Sequence, residues 1–407
     1  MKKKLVIIGA GVEQIYAYQL ARELGYYVIS TDQSKTAPAT KFSDYFIQAS
    51  TRDADETLAA LQNYCSKNGP IDGVMTIAND VPLTVAKVAE YFELPGHSVE
   101  SAILATDKLH MKEVFREKGV PCPDFWEVHN LIELESLIER EKFDRFVLKP
   151  LDGCGARGVL LLKPTDDLEW AWNESLSWGK GATLLVERFV SGLQISSESY
   201  LISGKAYTPA LSERNYSRLD DFSPYIIEDG GILPALVNKT LSDNIDRLIE
   251  AGAKAMGVEN GIVKGDLVIN DNGSPQIIEL ALRLSGGWFA SDQIIAATGV
   301  NLVKAVMKQA IGEKVNVEDL IPILNKATAI RYWFPKAGKI KKIKGEQKIK
   351  NLPGILKYDF FRQCNEVQPE IRMHPDRFGY VLVEGSDRTE AITRVENAIS
   401  CLSIEVE

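Results

Sequence analysis

The chain has 407 residues, 45% hydrophobic, with a formal net charge of −9. That length carries roughly two to four domains with ample core, and the acidic balance argues against a general nucleic-acid binder. Cys65, Cys122, Cys154, Cys364 and Cys401 form no Cys-x-x-Cys pair, and there are only four histidines. A cytoplasmic protein without a disulfide framework or a histidine-built metal site is expected. The apolar run after the first lysines stops at Gly9, too short for a signal sequence. No later stretch is long enough to span a bilayer, so no membrane role is expected.

Residues 4–11 read as a buried parallel strand entering a glycine turn, 12–24 as a helix, and 27–32 as a second strand ending in Asp32. This is a βαβ unit of nucleotide-binding type. Its dinucleotide fingerprint is incomplete, because Gly9 and Gly11 are followed by Gln14 at the third glycine position. A Rossmann-like domain that has no dinucleotide, or that helps seat a substrate, fits better than a nicotinamide dehydrogenase. Helices over 53–67 and 81–92 and a strand over 73–77 complete a first domain ending near residue 105. A helix over 105–118, capped by Thr106 or Asp107, stops at the proline-punctuated 119–123.

A strand over 145–150 runs into a loop holding Gly153, Gly155 and Gly158. Such a loop can lie over phosphates, its backbone N–H groups donating while Lys149 supplies a fixed positive charge. No Gly-Lys-Ser/Thr follows, so it is not a Walker loop; an ordinary glycine hairpin is the alternative. Residues 165–175 read as a helix, 183–190 as a strong strand, and 196–202 with 205–211 as a meander. The polar, aromatic segment 212–231 is too long and irregular for a simple connection and reads as a substrate or lid element. A helix over 241–256 leads into residues 264–287, the most informative stretch.

There, two apolar runs flank the turn formed by residues 270–274, which is rich in Asn and Gly, as in a β-hairpin. Its register sets Asp266 beside Glu279, with Arg283 and the Ser285-Gly286-Gly287 loop just beyond. Two carboxylates, a guanidinium and exposed amides suit a magnesium-bound triphosphate. Solvated acids on an edge hairpin are the alternative. Helices near 291–297 and 302–311 follow. Strands over 327–333, 338–343 and 379–385 and an amphipathic helix over 388–402 then form a small α+β cap. The lysines of 336–350 read as the solvated face of a half-buried strand rather than a nucleic-acid patch.

In order and spacing these pieces resemble an ATP-grasp ligase of the biotin-carboxylase and carbamoyl-phosphate-synthase type, across essentially the whole chain. The resemblance implies an α/β and α+β multidomain fold. A Rossmann-like pre-ATP-grasp domain would cover 1–105, and a small α+β C-terminal cap 326–407. Between them the ATP-grasp domain would have two parts, 106–183 with the lid and 184–325 with the metal site. Asp107-Lys108 is similar to the family's opening Asp-Lys, which reaches the phosphates. Lys149 resembles the nucleotide lysine, and Gly153, Cys154, Gly155 and Gly158 the glycine lid. Glu187, Arg188, Phe189 and Val190 resemble the adenine hinge, and Glu198 the glutamate near ribose and phosphates. Asp266 and Glu279 stand at the metal positions. Arg283 resembles the arginine on the transferring phosphate, and Arg331 one near the acceptor carboxylate or bicarbonate.

The family's Glu-x-Asn-x-Arg reads Glu279-Leu-Ala281-Leu-Arg283, so one metal ligand is replaced by alanine. Asp266 is shorter than the commoner Glu, and Gln194 stands where amino-acid ligases often carry Glu. The reaction implied is ATP-driven, ADP-forming activation of a carboxylate as an acyl phosphate, with Mg2+ or Mn2+, followed by attack of an amine. Small-molecule carboxylate and amine partners are expected, and a homodimer is admitted by analogy. Cys154 is read as incidental, not as a nucleophile. Two alternatives stay open: a bicarbonate-using carboxylase or carbamoyl-forming enzyme, supported by Arg331, and a nucleotide-binding relative without catalysis, supported by Ala281.

Overall fold

The computed structural model describes residues 2–153 and 155–407. A four-stranded parallel sheet opens the chain: β1 (Lys4–Ile8), β2 (Tyr27–Asp32), β3 (Tyr45–Gln48) and β4 (Gly73–Met75), in the order β3-β2-β1-β4. Leu5 to Ile8 are an unbroken apolar run because helices cover both faces of the sheet. The glycine turn after β1 is filled from within. The Gln14 amide packs against Gly9, donates to the Ile77 carbonyl at 2.9 Å, and accepts from the Gly11 N–H.

A second four-stranded sheet, antiparallel, holds β5 (Phe125–Val128), β6 (Phe146–Pro150), β7 (Leu160–Leu162) and β8 (Leu184–Arg188) in the order β5-β8-β6-β7. The amphipathic helices Leu131–Glu141 and Leu168–Leu176 supply its core.

The third sheet is the spine of the molecule. It contains β9 (Gly192–Ile202), β10 (Lys205–Arg214), β11 (Gly231–Leu233), β12 (Gly261–Asn270), β13 (Pro275–Ala281) and β14 (Ala327–Trp333). After β15 (Gly338–Lys344) come β16 (Ile355–Phe360), β17 (Val367–Gln368), β18 (Gly379–Gly385) and β19 (Ser403–Val406). The eight strands run in the order β13-β12-β9-β10-β11-β14-β18-β16, so strands from both sides of residue 325 share one sheet. β15, β17 and β19 form a small separate sheet. Helix Arg388–Cys401 covers β14 and β18.

Two contacts bring the first sheet onto this spine. Helix Leu302–Ala310 lies so close to β4 that a Cβ on Gly73 would meet the Ala310 carbonyl oxygen at 2.6 Å. Leu5, Ile7 and Met75 also share one apolar core with Phe289, Ile294 and Leu302. The expected helix through residue 118 runs Lys108–Lys118 with Asp107 as its cap, and a separate helix, Val99–Thr106, precedes it. They are broken at Asp107, whose extended backbone ends the first while its carboxylate caps the second.

A candidate nucleotide and ligation cleft

One cleft of about 1400 Å³ runs between the first sheet, the glycine loop, the open face of the spine and the C-terminal strands. At one end stands Glu187 on β8, opposite Val147 and next to Lys149 in the antiparallel pairing of β6 and β8. Lys149 Nζ lies 2.6 Å from Glu187 Oε1, and Lys112 Nζ lies 2.9 Å from the same oxygen. Both lysines and the glutamate are buried. Burial alone would push the Glu187 carboxyl up; Lys112 and Lys149 outweigh it and hold it below the usual carboxylate range. Burial depresses Lys149 despite Glu187. Two ammonium groups against one carboxylate leave a surplus positive charge facing the cleft, an arrangement suited to phosphate oxygens.

Arg188, Phe189 and Val190 follow on the same rim and line the cleft. Arg188 is held by Asp124 at 3.2 Å and lies over the Phe143 ring at 4.8 Å; Arg145 lies over Phe189 at 4.3 Å. Gly153 and Gly155 line the cleft above Lys149. Lys108 Nζ, at the start of its helix, donates to the Gly153 carbonyl at 2.8 Å and stands 3.9 Å from Glu279 Oε1. Gly158 packs behind the loop against Trp178, its carbonyl accepting from Ser175 Oγ at 2.7 Å. Gly155 and Gly158 have φ of +65° and +67°, values that favour glycine. Cys154 lies outside the described residues.

The β12–β13 hairpin also borders the cleft. Its register pairs Asp266 directly with Glu279, with a bulge immediately after. Asp266 Oδ1 accepts from Ser196 Oγ at 3.0 Å and lies 3.1 Å from Arg214 Nη1, while Oδ2 pairs with Lys264. Burial raises the Asp266 carboxyl, but Lys264 and Arg214 prevail and hold it well below the ordinary range. Glu279 is half-buried and lines the cleft. Among the described residues, no group of three or more His, Cys, Asp or Glu side chains forms a metal cage. The acids are a pair, and Ala281, also on the cleft wall, adds no donor.

Arg283 Nε donates to Asp80 Oδ1 at 2.7 Å, so the guanidinium is fixed by the loop after the first sheet. Glu198, fully buried on β9, accepts from the Ser285 N–H at 2.8 Å; burial pushes its carboxyl up to about 7 against the hydrogen bonds from Ser285.

Three family models match the chain. One of the ATP-grasp domain covers residues 105–287, one of the ATP-grasp N-terminal domain covers 18–96, and one of the L-amino acid ligase C-terminal domain 2 covers 331–407. The chain belongs to the ATP-grasp superfamily of ADP-forming carboxylate–amine ligases. Among ATP-grasp relatives, the L-arginine-specific L-amino acid ligase of Bacillus subtilis is 23% identical over 311 residues, 75% of this chain and 73% of that protein. The uncharacterized protein y4rH of Sinorhizobium fredii is 24% identical over 341 residues, 83% of this chain and 68% of that protein. The crystal structure of an L-amino acid ligase from Bacillus licheniformis superposes with a TM-score of 0.84 at 20% identity, covering 100% of this chain and 99% of that one, and so shares the fold.

One residue that the ATP-grasp resemblance places at the acceptor does not reach the cleft. On β14, Ile330 and Tyr332 line it. Arg331 alternates to the other face, where Asp229 and Glu396 surround it electrostatically and its Nη1 donates to the Ile330 carbonyl at 2.9 Å. The cleft instead carries Arg377, buried and lying over the Tyr332 ring at 3.8 Å. Sequence reasoning also missed Lys112, Arg214, Lys264, Asp80 and Glu13. Of the segment 212–231, Tyr216, Leu219, Asp220, Ile226 and Glu228 line the cleft.

Proposed function

We propose that this ligase activates the carboxylate of an amino acid as an acyl phosphate and joins it to an amine, in the reading that divides the chain at residues 105 and 325. The supporting observation is convergence. The Lys149–Glu187–Lys112 cluster, the Lys108–Gly153 contact, the Asp266–Glu279 pair and Arg283 all border one cleft. An amino-acid substrate is supported by the L-amino acid ligase model over the last 77 residues (331–407) and by the named relatives.

The donor set suits a magnesium or manganese ion, since such ions are held by one or two carboxylates together with substrate phosphates and water. Asp266 and Glu279 would hold it, and Ala281 would leave a position to water. Bound there, the ion supplies neutralisation of the phosphate charge. The remaining work falls to the chain itself. Lys149 and Lys108 meet phosphate oxygens, Arg188 to Val190 seat the base, and Arg283, fixed by Asp80, meets the transferring phosphoryl group. Glu198 holds the Ser285 N–H and thereby sets the loop that presents Gly286 and Gly287. The glycine loop, closing over the cleft, keeps water from the acyl phosphate.

Among the described residues no helix is long and apolar enough to cross a membrane. A cytoplasmic setting is supported by free Cys65, Cys122, Cys364 and Cys401. With Arg331 turned from the cleft, the bicarbonate reading loses the side chain that had supported it. The test is an ADP-release screen over amino acids, hydroxy acids and bicarbonate, each with and without an amine. ADP formation that requires an amino acid is expected. Release driven by bicarbonate alone, or no ADP with any acceptor, would overturn the proposal.

A further inference from the structure

Lys264 and Asp266 alternate with Gly265 on β12, and Glu279 and Ala281 with Leu280 on β13. Each pair therefore shares one face of its strand, and all four residues line the cleft. The register sets Asp266 opposite Glu279 and Lys264 opposite Ala281. They are the corners of a square: two carboxylates, one ammonium group and one methyl group. Side chains opposed in this way have Cβ atoms about 4.5–5.5 Å apart, so the space beside the Ala281 methyl is within reach of the lysine stem. On the far side of β12, Ser196 stands opposite Asp266 and Glu198 opposite Lys264.

This square has donors for one divalent ion and not for two. Ala281 offers no oxygen, and no group of three or more metal-binding side chains gathers there among the described residues. A second ion beside Ala281 would also stand against the Lys264 ammonium, and like charges a few ångströms apart repel strongly where water is scarce. The Lys264 side chain is only 15% exposed. A triphosphate nevertheless brings more negative charge than one divalent ion cancels, and phosphoryl-transfer sites meet the excess with a second ion or with fixed cations. The other cations at the cleft are already engaged: Lys108 with the Gly153 carbonyl at 2.8 Å, Lys149 with Glu187 at 2.6 Å and Arg283 with Asp80 at 2.7 Å. The ion pair described for Lys264 is with Asp266, the acid that an incoming metal ion would claim.

Resting on the ligase reading above, we propose that Lys264 takes the place of a second divalent ion. Its ammonium group turns from Asp266 to the transferring phosphate across the space beside Ala281, and this chain works with one metal ion per nucleotide. Lysine at 264 and alanine at 281 then belong together: the small residue makes the room that the ammonium group occupies. In the transfer, the P–O bond to ADP breaks with its electron pair left on the ADP oxygen, and a new P–O bond forms to the donor carboxylate. No proton moves in that step, and Lys264 stays protonated throughout, a fixed charge and not an acid or base.

The test counts metal ions without turnover. The full chain is saturated with a non-hydrolysable ATP analogue, and Mn2+ bound per analogue is followed by electron paramagnetic resonance. Wild-type protein should bind one Mn2+ per analogue, with no spectrum of a spin-coupled pair. The double variant Lys264→Ala/Ala281→Asn removes the ammonium group and adds an oxygen donor across the hairpin, and it should bind two. In turnover, Lys264→Met should lower kcat by about 10²-fold, and Lys264→Arg should recover part of that loss. The wild-type rate should level off once the nucleotide is magnesium-bound, whereas the double variant should be activated by further free Mg2+. Two Mn2+ per analogue in the wild-type protein, or a Lys264→Met variant with wild-type kcat, would overturn the role of Lys264 and leave the ligase reading standing. An analogue that does not bind, or no ADP with any acceptor, would overturn the ligase reading itself. The wild-type count decides even where a variant fails to fold.

Discussion

Two carboxylates, buried Glu187 and half-buried Asp266, each sit between two cations, yet they border different parts of the cleft and differ in what surrounds them. Glu187 meets Lys112 and Lys149 with no second acid in ion-pair contact among the described residues, so the local surplus is positive. Asp266 meets Lys264 and Arg214 but has Glu279 directly across the hairpin. In the proposed reading the cations around Asp266 would turn toward an incoming anion and leave two acids for a metal; those around Glu187 cannot leave without stranding a buried charge. In that reading, the same ion-pair motif would serve as a fixed phosphate anchor at Glu187 and as an exchangeable metal seat at Asp266.

The comparison is sharpened first at Glu279. Glu279→Gln removes an acid without stranding a cation, since Lys108 is 3.9 Å away and bonded elsewhere. Turnover should fall by about 10²–10³-fold, with stability nearly unchanged; a variant with full metal-dependent ADP formation would break the assignment. Glu187→Gln should do the reverse in kind. Two buried ammonium groups lose their counter-charge, and unfolding free energy should drop by about 3–5 kcal/mol in denaturant melts. A stability change below the error of those melts would show that the lysines are not paired through it.

Glu198 gives a pH signature. Its carboxyl is pushed up to about 7 from 4.5, so the folded state binds the proton more tightly than the unfolded state. Its contribution to stability is therefore highest below pH 4.5 and declines as pH rises to about 7, by on the order of 3 kcal/mol at most. Glu198→Gln should flatten that segment of the ligand-free stability profile; an unchanged slope would place the proton elsewhere. Asp266 acts oppositely, its depressed carboxyl adding stability above the unfolded value that is lost only in strong acid. The smallest effect is expected at Arg331. Arg331→Lys keeps the charge on the face away from the cleft, and kcat/KM should change by less than about threefold; a larger loss would return that residue to the acceptor.

The hairpin was legible because its signals are local: a turn of Asn, Asp and Gly between two short apolar runs places Asp266 opposite Glu279 without help from the rest of the chain. Lys149 and the glycines were legible for the same reason. Lys112 was not, because a lysine on an amphipathic helix reads as surface until another strand brings Glu187 beneath it. Asp80 and Glu13 sit in short connections after strands, where an acid is ordinary, and only the docking of the first sheet on the spine sets them against Arg283 and Gly287. Arg331 shows the opposite error. Its place in a motif suggested the cleft, while the apolar residues on either side, Ile330 and Tyr332, already marked the cleft face of β14. The helix Leu131–Glu141 carried a readable period in Leu134, Leu137 and Ile138 that went unread.

The central claim is that a carboxylate oxygen attacks the terminal phosphorus of ATP in this cleft. Donor amino acid labelled with 18O in its carboxylate, turned over with ATP and an amine acceptor, tests it directly by mass analysis of the inorganic phosphate. One labelled oxygen per phosphate released is the predicted result, with ADP as the nucleotide product. Unlabelled phosphate, or label appearing in AMP, would contradict it.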